Sequence, residues 1–271
     1  MTRTILSVRQ EITLPVEAES ICPDRFAGLS QAEVAALPVL LGRRKKVLGD
    51  LFEVEGDGCA EILIKGDLSH VKRIGQDMSQ GQITIQGDVG MHLGSGMRGG
   101  EITVQGNTGA WAGAQMAGGS IRVHGNVGAI LGGPYTGQKR GMSGGVIVVD
   151  GNAGVRAGER MRRGLIVIQG NAGDMLGARM IAGTIVVLGT LGSRAGAGMK
   201  RGTIIALGGL ADGLLPTIHY ACTYRPAFLR HYFLQLQAMG LPISQQQLDG
   251  DYKRYAGDVN TIGKGEILVH A

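Results

Sequence analysis

The residues that most often carry catalysis are few and scattered in this sequence. Its six histidines show no HxH or HExxH spacing, and its three cysteines form no CxxC pair. A zinc site needs three or four such ligands at short spacings, and a nucleophile needs a base held beside it. The sequence therefore predicts no catalytic residue and no metal site in this chain.

One glycine-rich segment, residues 94–99, matches the GxGxxG pattern of dinucleotide-binding loops. That pattern binds a pyrophosphate where it joins a strand to a helix, and no strand–helix unit surrounds it here. The same glycines recur throughout a repeat that fills the middle of the chain. We therefore interpret them as structural rather than ligand-binding.

The amino-acid composition alone excludes several fold classes. Glycine supplies 48 of the 271 residues, aromatic residues only 4% and hydrophobic residues 44%. The glycines do not recur at every third position, which excludes a collagen helix, and the apolar content excludes a disordered chain. No run of about 18 apolar residues predicts a membrane span. The scattered cysteines favour a reducing compartment, and we expect a cytoplasmic protein.

A repeat of 19 residues organises the chain between residues 59 and 210. Each copy reads Gly, any residue, Ile, any residue, an aliphatic residue, any residue, Gly. One step of 26 residues contains a seven-residue insertion, and a degenerate eighth copy covers residues 59–67. The seven regular copies begin at Gly81, Gly100, Gly119, Gly145, Gly164, Gly183 and Gly202.

Three further positions recur in phase with these copies. A methionine precedes each opening glycine by three residues, from Met78 to Met199. We expect this column to fill the core rather than bind a soft metal, because no His or Cys column accompanies it. A second glycine column predicts corners with positive φ or close backbone approach. A column of Asp and Asn residues predicts left-handed turn residues and a side-chain ladder.

The repeat predicts an all-β fold. Its apolar pairs alternate with polar residues, as in strands that bury one face. Nineteen residues leave no room for a helix beside a strand and its turns. A parallel β-helix, in which each copy forms one coil of about 19 residues, satisfies both conditions.

The chain ends lack the repeat. Residues 1–58 predict a small α+β segment, in which Ser30 and Glu33 form a capping box before a helix through about Leu41. Residues 59–210 form the repeat domain. Residues 211–271 predict a helix that begins at Pro226 and either caps the end of the repeat domain or packs along it, followed by a final strand.

Two surface features could bind a partner, although the formal net charge is only +5 and no aromatic-rich basic tract points to nucleic acid. The insertion forms a candidate partner loop, with Tyr135, Lys139 and Arg140 as its contact residues. Basic residues just before three opening glycines predict a positive ridge for a polyanion or partner, with a solvated edge as the competing interpretation. The ridge consists of Arg98, Arg162, Arg163, Lys200 and Arg201.

The repeat with Met-x-Gly-Gly before its strands resembles the GXGXG domain, the right-handed β-helix of glutamate synthase. Residues 42–46 (GRRKK), 48–52 (LGDLF), 255–258 (YAGD) and 263–268 (GKGEIL) extend the resemblance over essentially the whole chain. With them, the sequence resembles the C subunit of formylmethanofuran dehydrogenase and of its bacterial counterpart, the formyltransferase/hydrolase complex of methylotrophs. The arginine and alanine content favours the bacterial complex.

The resemblance implies a hetero-oligomer with the A, B and D subunits of the same complex, with a dimer of heterotetramers as one possible form. In that complex a formyl group passes from formyl-tetrahydromethanopterin to a methanofuran-type carrier and is hydrolysed to formate. The carrier and a zinc ion are expected in the partner subunits, and no catalytic residue is carried onto this chain. The ridge could hold the carrier's glutamyl groups.

Four alternatives stay open. The chain could be the C subunit of an archaeal tungsten or molybdenum formylmethanofuran dehydrogenase, or a domain that couples two active sites in a glutamate-synthase-like amidotransferase. It could also be a free-standing β-helix enzyme, or a free-standing binding module. The missing acid/base cluster argues against the enzyme, and the glycine-rich corners offer a binding module little side-chain surface.

Overall fold

The structure is a computed structural model that describes residues 3–271, so residues 1 and 2 of the predicted N-terminal segment lie outside it. Strands dominate, and the prediction of a β-rich fold is confirmed. The first strands are β1 (Thr4–Val8), β2 (Val16–Glu17), β3 (Pro38–Leu41), β4 (Arg44–Val47), β5 (Phe52–Glu55), β6 (Glu61–Lys65) and β7 (Val71–Lys72). The strands of the regular copies are β8 (Gln82–Gln86), β9 (Glu101–Val104), β10 (Ser120–Val123), β11 (Val146–Val149), β12 (Leu165–Ile168), β13 (Thr184–Val187) and β14 (Thr203–Ala206).

The remaining elements lie at the two ends of the chain. Three strands follow the repeat, namely β15 (His219–Tyr224), β16 (Tyr252–Ala256) and β17 (Glu266–His270). The helices are α1 (Pro23–Phe26), α2 (Gln31–Ala35), α3 (Leu48–Leu51), α4 (Ala227–Ala238) and α5 (Gln245–Asp249). Among the helices of residues 3–271, none combines the length and the apolar character needed to cross a bilayer.

A sheet of 13 strands contains the strands of all regular copies, whereas β7 belongs to a second sheet of four strands with β2, β3 and β4. Strands β6 and β8 to β14 lie side by side in chain order and pair in parallel. Equivalent residues of successive copies face each other, as Ile83 faces Ile102 and Ile166 faces Ile185. The register follows from the sequence, because a shift of one residue would turn each Ile pair from the core to the other face.

Successive copies also meet at a second position, outside the main strands. Single parallel bridges join Leu68 to Val89, Val89 to Thr108 and so on, copy by copy, as far as Leu210. Each copy therefore hydrogen-bonds to the next along two separate lines. Along both lines, the copies follow one another in chain order.

The column positions behave largely as the sequence predicts. All seven column methionines are fully buried, which confirms the core interpretation. The Met78 methyl group lies where a side chain on Gly100, the opening glycine of the next copy, would begin, at 2.5 Å from an added Cβ. The second glycine column, which includes Gly113 at φ 61°, lies against the tip of an Ile side chain two copies further on. The two glycine columns thus make room for the methionine and isoleucine columns.

The Asp/Asn column forms the predicted side-chain ladder. The Asn107 backbone N–H donates to Asp88 Oδ1 at 2.8 Å, and the Asn126 N–H donates to Asn107 Oδ1 at 2.8 Å. The ladder continues through Asn152 to Thr190. The predicted left-handed conformation is wrong, since none of these residues has a positive φ. Their side chains stabilise the stack through hydrogen bonds between copies instead.

The N-terminal segment continues the sheet at one end, where β1 pairs in parallel with β6 and antiparallel with β5. The predicted capping box is present, with Ser30 Oγ accepting from the Glu33 N–H. The predicted helix end near Leu41 is wrong, because α2 ends at Ala35 and β3 begins at Pro38. Proline blocks the helix and disfavours helical backbone in the residue before it.

The C-terminal helix begins as predicted, with Pro226 at its N-cap. It packs along the sheet rather than over its end. Its residues Leu229, Phe233 and Leu236 form a second buried cluster with the apolar side chains on the outer face of β11 to β14 and β17. At the equivalent position β8, β9 and β10 carry Thr84, Thr103 and Arg122 (one residue in each strand). Among the regular copies, the outer face therefore becomes apolar at β11, where the helix covers it.

Candidate functional site

One edge of the repeat is built from residues with left-handed backbone. In most copies the glycine of the second column is flanked, two residues away on each side, by another residue with positive φ. Non-glycine residues adopt this conformation at a cost of about 1 kcal/mol or more. Eleven of the described residues do so, namely Arg73, Asp77, His92, Trp111, Gln115, Ile130, Arg156, Arg160, Met175, Arg179 and Arg194. The insertion at residues 134–140 lies within this edge.

Part of the predicted ridge converges with the predicted partner loop. Arg162, Arg163 and Arg201 line a surface cavity of about 530 Å³ together with Arg140 from the insertion. Arg162 Nε is buried and finds no hydrogen-bond acceptor among the described residues. Four cationic side chains around one cavity form a positive surface that suits a carboxylate or phosphate.

The other two ridge residues stand apart from this cavity. Arg98 and Lys200 are exposed, and neither lines it. Ala117 and Ser143 occupy the copies between Arg98 and Arg162, so the basic column is interrupted for two copies. Ile181 separates Arg162 from Lys200 in the same way. The five residues therefore do not form one continuous line.

The rest of the predicted partner loop faces a different cavity. Tyr135 and Lys139 line a space of about 290 Å³. The same space is lined by Arg156, Arg160 and Arg179, three arginines that the sequence pattern did not single out. Two of them could have been found by comparing equivalent positions of the copies. Arg160 and Arg179 stand where other copies have Gly96 and Gly198.

A stack of rings adjoins this second cavity. His92 and Trp111 occupy equivalent positions in successive copies, and their rings stack with centroids 5.3 Å apart. The ring of Tyr135 lies 5.3 Å from that of His92. Three polar atoms of this stack, His92 Nδ1, Trp111 Nε1 and the Tyr135 hydroxyl, are buried without a partner among residues 3–271.

Burial lowers the pKa of His92 below its ordinary value of 6.5, and the charges of Arg73 and Lys72 lower it further, whereas Glu17 opposes them. The unfolded chain therefore binds a proton at His92 at higher pH than the folded chain does. Because of this difference, the folded state loses stability as the pH falls below about 6.5.

We expect His92→Asn to weaken the pH dependence of the melting temperature between pH 7.5 and pH 5, since asparagine tolerates left-handed backbone and carries no titrating proton there. The melting temperature at each pH is measured by thermal unfolding, with circular dichroism as the signal. His70→Asn, at an exposed histidine, is the matched control and should leave the dependence unchanged. Equal pH dependence in the His92 variant and the unmodified chain would contradict the assignment.

The described residues contain no group of three or more His, Cys, Asp or Glu side chains placed to hold a metal ion. The three cysteines are unpaired, and burial raises the pKa of the Cys22 thiol to about 11, which makes it a poor nucleophile. What the two cavities share is a lining of arginine guanidinium groups, which fit carboxylates and phosphates.

Known proteins resemble this chain over a part or the whole of its length. It is 41% identical over 88 residues to the C subunit of the formyltransferase/hydrolase complex Fhc of Methylorubrum extorquens. It is 43% identical over 99 residues to the C subunit of the tungsten-containing formylmethanofuran dehydrogenase 2 of Methanothermobacter thermautotrophicus. These segments cover 32% and 35% of this chain, and 33% and 37% of the length of those relatives.

A full-length match comes from a solved structure. A chain in the crystal structure of the formyltransferase/hydrolase complex FhcABCD of M. extorquens, determined with methylofuran, superposes with a TM-score of 0.91. The two chains are 41% identical, and the match covers 98% of this chain and 99% of the other. This chain belongs to the family of formylmethanofuran dehydrogenase C subunits. No family model matches it, and the family assignment rests on these relatives.

Proposed function

We propose that this chain is the C subunit of a formyltransferase/hydrolase complex and that it acts as a non-catalytic structural subunit. The full-length similarity to a chain of FhcABCD, at 41% identity and a TM-score of 0.91, carries the proposal. In such a complex a formyl group passes from formyl-tetrahydromethanopterin to a methanofuran-type carrier and is then hydrolysed to formate. The carrier and zinc belong to the partner subunits, and the proposed location is the cytoplasm.

We also propose that the repeat winds as a right-handed parallel β-helix with one coil per 19-residue copy. Two observations support this architecture. Each copy pairs with the next along two separate parallel lines, as coils stacked about 4.8 Å apart would. The Ile and Met columns pack into one continuous buried core that runs through all copies. Such a stack is stiff and offers long faces on which the A, B and D subunits could assemble.

The alternative is the C subunit of an archaeal-type formylmethanofuran dehydrogenase. Over the 99 matched residues, the 43% identity to the M. thermautotrophicus protein supports this alternative. The decisive difference lies in the partner subunits, because only the dehydrogenase contains tungsten or molybdenum. Metal content of the intact complex therefore separates the two candidates.

The test is a mild affinity purification of the tagged full chain from its native host, followed by metal analysis and a formate-release assay. We expect three co-purifying subunits, zinc, and formate release from formyl-tetrahydromethanopterin. Tungsten or molybdenum in the eluate would transfer the assignment to the dehydrogenase. A chain that purifies alone would contradict a role within a complex.

Three residues of the basic ridge allow the proposal to be tested by mutation. Arg162, Arg163 and Arg201 are proposed to hold the glutamyl groups of the carrier near the complex. Replacing all three by alanine should weaken carrier retention and reduce its dependence on salt concentration, because screening acts on the lost charge pairs. The pair Arg98→Ala and Lys200→Ala, outside the cavity, is the control. Unchanged retention in the triple variant would contradict this role.

A further inference from the structure

The last strand of the chain continues the stack of copies. β17 pairs in parallel with β14, and Ile267 faces Ile204 in the register that joins the regular copies. Residues 265–269 read GEILV, which repeats the pattern of glycine, any residue, Ile, any residue and an aliphatic residue. The chain reaches this strand 63 residues after the equivalent residue of β14, instead of after 19. β17 therefore has the sequence and the pairing of a ninth copy.

Gly265 fills the role of the opening glycine in this ninth copy. An added Cβ on Gly265 would lie 2.5 Å from the Met199 methyl carbon. At the equivalent place one copy earlier, a Cβ on Gly202 would lie 2.8 Å from the Met180 methyl carbon. Met199 is the last residue of the methionine column and is fully buried. The glycine and methionine columns thus extend as far as residue 265.

The copy that begins at Gly202 lacks its own corner, the left-handed turn around the second glycine column. In most copies an N–H of this corner donates to a carbonyl of the next one, as from Arg179 to Ala197 at 2.7 Å. The equivalent donor one copy later is the Gly198 N–H, which donates to the carboxylate of Asp258 instead, with 2.8 Å to Oδ2. A side chain thus supplies the acceptor that the missing corner would have provided.

Thr261 makes the complementary replacement at the neighbouring carbonyl. The carbonyls of the first six column methionines each accept a backbone N–H from the next copy, as Met180 accepts from Lys200 at 2.8 Å. Within residues 3–271, the Met199 carbonyl accepts no backbone N–H. It accepts from the Thr261 hydroxyl, with 2.7 Å between the two oxygens. A donor and an acceptor at the end of the stack are therefore both satisfied by side chains of one turn.

The turn that carries these two side chains is itself fixed. Asp258 is 4% exposed, and its Oδ1 atom accepts the Asn260 N–H at 2.9 Å. The Thr261 N–H donates to the Asp258 backbone carbonyl at 3.1 Å. A buried carboxylate is costly unless its oxygens are hydrogen-bonded, and here both oxygens accept a backbone N–H. The carboxylate is therefore held where the corner of a further copy would lie.

We propose that residues 257–264 replace the missing corner and that Asp258 and Thr261 close the stack against a second copy of the chain. An open end of stacked strands presents unpaired N–H and C=O groups, which attract another chain, and terminal repeats have to prevent this. A second copy would offer the matching groups, because two-fold symmetry brings the Gly198 N–H of each chain to the Met199 carbonyl of the other. The inference rests on the pairing of the copies and is independent of the function proposed above.

The test compares the full 271-residue chain with the double variant Asp258→Ala and Thr261→Val. Hydrogen exchange of the Gly198 amide, followed by NMR, should be about tenfold faster in the double variant, because a hydrogen bond to a charged acceptor is lost. Sedimentation velocity at several protein concentrations measures association. We expect the double variant to sediment, at high concentration, as a species of twice the mass of the unmodified chain.

Conservative variants and an exposed neighbour serve as controls. Asp258→Asn keeps an acceptor and Thr261→Ser keeps a hydroxyl, so both should retain the slow exchange at Gly198 and the mass of the unmodified chain. Val259→Ala lies in the same turn, where Val259 is 54% exposed, and should change neither quantity. If circular dichroism shows that the double variant does not fold, Thr261→Val alone, which removes one hydroxyl group, carries the same two measurements.

Three results would overturn the proposal. Unchanged exchange at Gly198 would show that Asp258 does not complete the stack. Faster exchange without any increase in mass would show that the opened end does not attract a second copy. Association of the Val259 variant as well would trace the effect to a disturbed turn rather than to the freed backbone groups.

Discussion

Phe233→Ala is expected to destabilise the folded chain by about 4 kcal/mol, the usual cost of emptying a buried phenylalanine site. Phe233 lies on α4 and is fully buried. It belongs to the cluster that joins this helix to Val167, Val186 and Ile205 on the outer face of the sheet. Its loss leaves a cavity where the helix attaches, and it weakens the cover over an apolar strand face.

Chemical denaturation in urea measures the change in unfolding free energy. Leu234→Ala, one residue further along the same helix, is the matched control, because Leu234 is 46% exposed. It should change stability by less than about 0.5 kcal/mol. Equal effects of the two substitutions would show that α4 is not attached through Phe233. We also expect the Phe233 variant to aggregate more readily, since apolar strand faces associate when uncovered.

Gly118→Ala is expected to cost about 3 kcal/mol, although it adds only one methyl group. A Cβ at this position would lie 2.2 Å from the Arg98 carbonyl oxygen of the preceding copy. The obstacle is backbone, so no side chain can move aside to relieve the contact. The two copies must separate locally, which strains the hydrogen bonds between them, such as the one from the Gly118 N–H to the Met97 carbonyl.

Gly213→Ala is the control for this substitution, because a Cβ there meets nothing within 4 Å. Thermal unfolding of the two variants should differ by several degrees. A Gly118 variant as stable as the Gly213 variant would mean that successive copies are less closely packed than the structure indicates.

Much of the repeat could be predicted from the sequence because its signal is periodic. Residues that recur at the same position face one another when copies stack in register, so Ile83 and Ile102 predict both the strands and their pairing. The burial of the Met78 column follows from the same periodicity. The sequence did not reveal that the Asn107 ladder uses ordinary backbone rather than left-handed turns, because the same residue types serve both arrangements.

The repeat pattern predicts nothing specific at the chain ends. Ser30 and Glu33 correctly predicted where α2 begins, but Pro38 ended the helix earlier than the apolar pattern suggested. Pro226 also correctly predicted where α4 begins. Whether that helix covers the sheet face or its end depended on which copies have an apolar outer residue, such as Val167, and on the path of the chain after the last copy.

The surface around the insertion shows the same division most sharply. By itself the sequence determined the repeat, its register and its buried columns, and it predicted a basic ridge and a partner loop as two separate surface features. Only the tertiary structure decided that Arg140 joins Arg162 while Lys139 faces Arg160 and Arg179, and that Arg98 stands apart. The reason is physical, because Arg160 and Arg179 stand on left-handed backbone, and a seven-residue insertion has no repeat to fix its path.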